Sequence, residues 1–133
     1  MKTFISLAVI CLFVTVFAKH ELTEEQRAEM KAKVELCAKE ENISEAEVTK
    51  FMKEDYANPT EDFKCLTTCF FEKEGTLKDG VVQEEFVIKK WGPTIGEDNI
   101  KKIYEKCHGI KAENRCETGF KILECCKEAK EAL

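Results

Sequence analysis

Histidine, proline and glycine are scarce: the 133 residues include 2 histidines, 2 prolines and 6 glycines. His20 and His108 are too few to carry a nucleophile motif with its base, and no glycine-rich loop or metal signature is present. No catalytic residue, metal or cofactor is therefore assigned, and the chain is not expected to be an enzyme. Pro59 and Pro93 fall in connecting segments, which leaves long helices unbroken. No internal repeat or low-complexity stretch occurs. Sustained alternation of apolar and polar residues bounded by hairpin turns is also missing, which points away from β structure. Basic residues are outnumbered 21 to 26 by acidic ones and are interleaved with them, so nucleic acid and anionic membrane are poor partners.

What the sequence does contain begins at its N-terminus. Lys2 precedes an apolar run from Phe4 to Phe17, and Val16-Phe17-Ala18 makes a small-residue exit. This is the pattern of a signal peptide over residues 1–18, cleaved before Lys19, and it predicts a secreted, extracellular product. The run is short for a membrane span, and no later segment is apolar enough to be one. Residues 19–133 have the length of one domain. Of the 8 cysteines, Cys11 leaves with the leader. Cys37, Cys65, Cys69, Cys107, Cys116, Cys125 and Cys126 stay, and in an oxidising compartment six of them form three disulfides.

Helical spacing dominates the mature chain, and six helices make it all-α. Thr23 with Gln26 opens a first helix running to about Lys39, carrying Met30, Val34 and Cys37 inward. Ser44 and Glu47 are expected to form a capping box ahead of Val48, Phe51 and Met52, on a second helix that Asn58-Pro59 ends. Thr60 starts a third, with Phe63, Leu66, Cys69 and Phe70 inward and Gly75 as its stop. After the polar turn Lys78-Asp79-Gly80 come Val82, Phe86 and Trp91. Gly92-Pro93 is expected to interrupt before Ile100, Ile103, Tyr104 and Cys107, and a last helix from about Glu113 holds Cys116, Phe120, Leu123, Cys125 and Cys126.

The third helix organises the rest. Cys65 and Cys69 are four residues apart, so they share a helix face and are badly placed to bond each other. Cys116 and Cys125 are half a turn out of phase on the last helix. Each of the four reaches elsewhere, although six cysteines allow many connectivities and helix geometry does not choose among them.

The spacing Cys37-x27-Cys65-x3-Cys69-x37-Cys107-x8-Cys116-x8-Cys125 resembles the six-cysteine signature of insect odorant-binding proteins, over the whole mature chain. That resemblance implies a compact bundle of six helices around an apolar cavity, with interlocked bridges Cys37–Cys69, Cys65–Cys116 and Cys107–Cys125. It leaves Cys126 as a free thiol, either a small buried residue beside Leu123 or an exposed one joining two chains, with a one-residue slip that bridges Cys126 in place of Cys125 still open. It also implies a carrier of small hydrophobic molecules such as odorants, pheromones or fatty-acid-like ligands, moving them through aqueous fluid to a membrane chemoreceptor, as a monomer or weak homodimer. The apolar residues available to line the interior are Val48, Phe51, Met52, Phe63, Leu66, Phe70, Val82, Phe86, Trp91, Ile100, Ile103, Tyr104, Phe120 and Leu123. About half are expected to be plain core. Thr67, Thr68, Gln83 and Tyr104 are candidates for an orienting hydrogen bond. A hollow core costs about 24 cal/mol per Å³ of void; three disulfide-closed loops, at roughly 3 to 4 kcal/mol each, can offset that.

Other classes fit less well. A zinc site from Cys65, Cys69, Cys107 and His108 conflicts with oxidising secretion. Cys107-His108 is reminiscent of secreted phospholipases, but Gly109 follows and the calcium loop is missing. Saposin-like lipid-interacting proteins are the stronger alternative, yet their early CxxC pair is absent; a haemolymph or gland carrier of the same fold is the other. Two histidines support only a modest pH dependence near neutrality. Asn42-Ile43-Ser44 is a glycosylation sequon in which Ser44 also reads as a helix cap, and Asn58-Pro59-Thr60 is excluded by its proline.

Overall fold

The computed structural model describes residues 23–133; the leader expected over residues 1–18 and His20 lie outside them. Met1–Met30 and Lys31–Leu133 separate as two units. In the described part of the first, Thr23 Oγ1 accepts from Gln26 N while Thr23 N donates to Gln26 Oε1, both at 3.0 Å. This reciprocal cap starts helix α1, Glu24–Glu40.

In the second unit, Val34 and Cys37 of α1 are buried. Helix α2 spans Glu45–Met52 and α3 Glu61–Glu74. Helix α4 spans Glu84–Ile95, α5 Glu97–Cys107 and α6 Arg115–Glu131. The fold is all-α, with six helices among the described residues. Helix α3 packs most extensively on α6, α4 on α5, and α5 on α6. Its ends are chemically defined: Thr60 Oγ1 accepts from Phe63 N at 3.0 Å, and Gly75 closes the helix at φ 105°, a left-handed position where a side chain is strained. Asn114 caps α6 by accepting from Glu117 N at 2.9 Å.

Four local expectations are corrected. The Ser44–Glu47 capping box does not form: Ser44 occupies the N-cap position without a side-chain bond, and Glu47 Oε1 instead accepts from Thr60 Oγ1 at 3.0 Å. The hydroxyl capping α3 offers that carboxylate a donor from another element. Helix α2 ends at Met52 rather than at Asn58-Pro59, because Glu54 turns left-handed at φ 57° and Asp55 N closes back on Lys50 O. Helix α4 runs through Pro93 to Ile95, and the break falls at Gly96, φ 101°. Proline's φ is helical, so near a C-terminus it costs little more than one ladder bond. Finally, Leu77–Lys78 and Val81–Val82 pair as a minimal antiparallel hairpin around Asp79 and Gly80, φ 52° and 78°, the conformation Asp-Gly favours.

Three disulfides tie these elements together. Cys37–Cys69 joins α1 to α3, Cys65–Cys116 joins α3 to α6, and Cys107–Cys125 joins α5 to α6. Helix α3 is thus bridged from one face to two other helices. Ion pairs reinforce the same joints: Lys64 bonds Glu117 at 2.6 Å, which holds the lysine above its ordinary pKa, and Arg115 reaches both Glu72 and Glu41.

Candidate ligand-binding interior

Two apolar clusters occupy the interior of the Lys31–Leu133 unit, and α3 contributes to both. In the first, Phe51 of α2 lies 5.9 Å from Phe63 and 5.4 Å from Phe70 of α3, ring centre to ring centre. Phe120 of α6 meets Phe63 edge-on at 6.1 Å, and Tyr56 does so from the α2–α3 loop at 6.0 Å. Edge-to-face pairs at such distances add to the gain from burying the rings. Val48 and Leu66 are also buried.

The second cluster joins Leu77, Val82, Val87, Ile100, Ile103, Cys107, Ile122 and Ala129, with Phe71, Phe86, Ile88, Trp91, Ile95, Tyr104 and Ile110 packed half-buried against it. The adjacent rings of Phe70 and Phe71, 6.3 Å apart, connect the two. Beside the second cluster the carboxylate of Glu74, 3% exposed, is paired with Lys90 at 2.6 Å, whose ammonium sits 5.5 Å from the rings of both Phe86 and Trp91. The carboxylate is buried but paired, with the lysine still partly exposed, and pairing is the condition under which a buried carboxylate is tolerated.

Of the fourteen residues singled out from sequence, Phe51, Phe63, Phe70 and Phe120 meet in the aromatic cluster. Val82, Phe86, Trp91, Ile100, Ile103 and Tyr104 meet in the second. Val48 and Leu66 are buried on α2 and α3, while Met52 and Leu123 are only half-buried. On α6 the better-buried neighbour is Ile122, 1% exposed. Sequence reasoning passed over Ile122, Phe71, Ile88, Ile95, Ile110 and Tyr56. The first four are recoverable from helical phase once element boundaries are right; Ile110 and Tyr56 sit in loops, where no periodicity speaks for them.

The polar candidates are largely committed to backbone. Thr67 Oγ1 donates to Phe63 O and Thr68 Oγ1 to Lys64 O, each at 3.0 Å. Gln83 Nε2 donates to Val81 O at 2.9 Å. The Tyr104 ring stacks on His108 at 4.5 Å. A different polar edge borders the aromatic cluster. Lys127 Nζ lies 5.2 Å from the Tyr56 ring and Lys50 Nζ 5.9 Å from the Phe63 ring. Burial, aided by Glu54, pushes the Tyr56 phenol up to about 12, so it stays a neutral donor at physiological pH.

Two depressions among the described residues are open to solvent. One, of about 730 Å³, is bordered by Glu72, Gly75, Leu77, Gln83, Glu84 and Phe86; the other, of about 670 Å³, by Ala32, Glu35, Leu36, Lys39, Asn42 and Ile43. Cys65, Cys69 and Cys107 each stand in a bridge, so their sulfurs are not available as thiolate ligands. Among the described residues no helix is long and apolar enough to cross a membrane.

Among the described residues Cys126 is the unpaired thiol. It packs against the second cluster, and burial pushes its pKa up from 9.0 to about 11. An acid whose folded pKa is raised keeps the corresponding stability below its unfolded value and loses it as pH rises through the folded value. The Cys126 contribution is therefore full below pH 9 and lost towards pH 11. Urea unfolding of the wild type and Cys126→Ala should show midpoints that converge over this window. Below it, alkylation of Cys126 should be slower than that of a free cysteine.

The geometry has clear counterparts. Residues 19–129 match the model of the PBP/GOBP family. The chain is 43% identical over 134 residues to general odorant-binding protein 56a of Drosophila melanogaster, covering 99% of this chain and 96% of that protein. It is 32% identical over 99 residues to odorant-binding protein 10 of Aedes aegypti, covering 73% and 70%. Among solved structures, the fatty acid binding protein OBP56a from the oral disk of the blowfly Phormia regina is similar at a TM-score of 0.80 and 54% identity, over 84% of this chain and 97% of that one. Odorant binding protein 4 of Chrysopa pallens, at a TM-score of 0.60 and 20% identity over the same shares, is alike in fold.

Proposed function

The chain belongs to the PBP/GOBP family of odorant-binding proteins, and from that premise we propose that it is a secreted, non-enzymatic carrier of small hydrophobic molecules, with long-chain fatty acids as the leading ligand class. The observation that carries the reading is the 54% identity and common fold with a blowfly protein described as fatty acid binding. The chemistry of this chain agrees with it: an interior of rings and branched aliphatics, held by three bridges that join its helices. Burying a sixteen-carbon chain yields about 13 kcal/mol at ~0.8 per methylene, and association costs of about 5 kcal/mol leave roughly micromolar affinity.

The ligand lies among the residues predicted from sequence, entering where Phe86, Trp91 and Tyr104 are half-buried, with Phe71 added from the structure. Its acidic head group is received at the aromatic edge by Lys50, Lys127 and the neutral Tyr56 hydroxyl. Neither lysine has a carboxylate partner among the described residues. The match to the family beginning at residue 19 supports cleavage before Lys19 and a domain over 19–133. A membrane receptor is the recipient, and the carrier works as a monomer or weak homodimer.

Displacement of a fluorescent apolar probe by fatty acids and by their methyl esters tests this reading. Acids should bind roughly tenfold more tightly than esters, since a charge-assisted contact contributes about 1.5 kcal/mol. Lys50→Met combined with Lys127→Met should erase that margin while leaving ester affinity unchanged. Equal binding of acid and ester by the wild type would remove the head-group assignment, and failure of every apolar ligand to displace the probe would remove the carrier reading.

A further inference from the structure

We propose that Asn42 carries an N-linked glycan. The sequon Asn42-Ile43-Ser44 fills the turn between α1 and α2. Asn42 is exposed and held left-handed at φ 56°, and its side chain has no hydrogen-bond partner among the described residues. Ser44 stands at the N-cap of α2, yet its hydroxyl makes no capping bond, so the helix does not account for a serine there. Ile43 between them is buried and its N–H donates to Ala38 O at 2.7 Å. The middle residue thus anchors the turn, while the acceptor amide faces solvent.

The surroundings give the sugar a place to lie. Asn42 borders the open groove of about 670 Å³ that also holds Ala32, Leu36 and Ile43. Leu36 is 49% exposed, one of few large apolar side chains so placed among the described residues, and a glycan rooted at Asn42 covers it. Asn58 supplies an internal contrast: it too is exposed in a left-handed turn, φ 48°, and is followed two residues later by threonine, but Pro59 between them blocks transfer. In the reaction Asn42 Nδ2 bonds to the anomeric carbon of an oligosaccharide carried on a lipid pyrophosphate. The carbon–oxygen bond to the pyrophosphate breaks, the pyrophosphate leaves with the electron pair, and the amide gives up one proton.

The inference rests on the secretion reading, so the full chain is expressed in insect cells twice, with its own N-terminus and behind an independent secretion leader. Intact mass is read before and after amidase digestion of N-glycans. The secreted wild type should be heavier than its polypeptide by one oligosaccharide, and the amidase should remove that mass. Asn42→Gln and Ser44→Ala should each emerge at the bare polypeptide mass. Pro59→Ala should gain a second glycan at Asn58. A chain retained in the cell with its own N-terminus but glycosylated behind the independent leader supports the Asn42 site and defeats the signal-peptide reading alone. Wild type secreted at its bare mass, whatever Pro59→Ala shows, overturns the proposal.

Discussion

Gly119→Ala is expected to destabilise the protein by about 3 kcal/mol, the upper part of the usual range for overpacking a core, and to lower Tm by roughly 10 °C. In an ordinary helix interior the same change gains about 1 kcal/mol. The sign reverses because a Cβ on Gly119 would stand 1.8 Å from Thr68 Oγ1, 2.6 Å from its Cβ and 2.9 Å from its Cα. A rotamer change relieves the first contact but not the backbone one. Thr68 is itself fixed: 1% exposed, it donates to Lys64 O and lies within 3.3 Å of the Arg115 and Cys116 carbonyls. Here α3 and α6 touch nearly backbone to backbone, with Cys65 and Cys116 only 4.4 Å apart at Cα. Gly109→Ala is the control, since nothing lies within 4 Å of its Cβ position, and its Tm should barely move. Equal melting of Gly119→Ala and wild type would contradict this account of the α3–α6 joint.

Replacing Cys65 and Cys116 together by alanine should cost about 4 kcal/mol on the chain-entropy estimate. That bridge spans 51 residues, the longest of the three separations, against 18 for Cys107–Cys125, whose removal should cost about 3 kcal/mol. Against a total stability of roughly 5 to 15 kcal/mol for a domain, the first loss leaves a marginal protein. Saturating ligand should raise its melting midpoint, because binding only the folded state adds stability by mass action. Equal urea midpoints for the Cys65/Cys116 and Cys107/Cys125 double variants would show that loop length does not govern their contributions.

Much of this architecture was legible in the residues. Apolar spacing pointed to six helices, Thr60 and Gly75 marked the two ends of α3, and the last helix, expected from about Glu113, starts at Arg115. The cysteine gaps, through their resemblance to a family, implied the three pairs that the structure forms. Local patterns misled where a partner from another element intervened. Glu47 satisfied the capping-box pattern but was taken by Thr60, thirteen residues on. Pro93 looked like a break because the helix-compatible φ of proline was weighed less than its missing N–H.

The interior was legible as a face, not as a site. Periodicity marks inward residues alike whether they fill a core or touch a ligand, and a one-residue difference in phase exchanged Leu123 for Ile122 at the buried position on α6. Gly119 carried no sequence signal, since a helix glycine resembles any other until the facing backbone is seen. Tyr56, Lys50 and Lys127 converge from a loop and two helices more than seventy residues apart at the extremes, which no local pattern encodes.

The most direct test uses the chain's single tryptophan, Trp91, half-buried against the second cluster. Oxidised protein, its three bridges verified by mass, is titrated with a long-chain fatty acid while Trp91 emission is followed. The account predicts a saturable change at one ligand per chain, with roughly micromolar affinity, lost when the bridges are reduced. Unchanged emission together with no displacement of an apolar probe would mean that the interior is filled core and that the chain does not carry its ligand there.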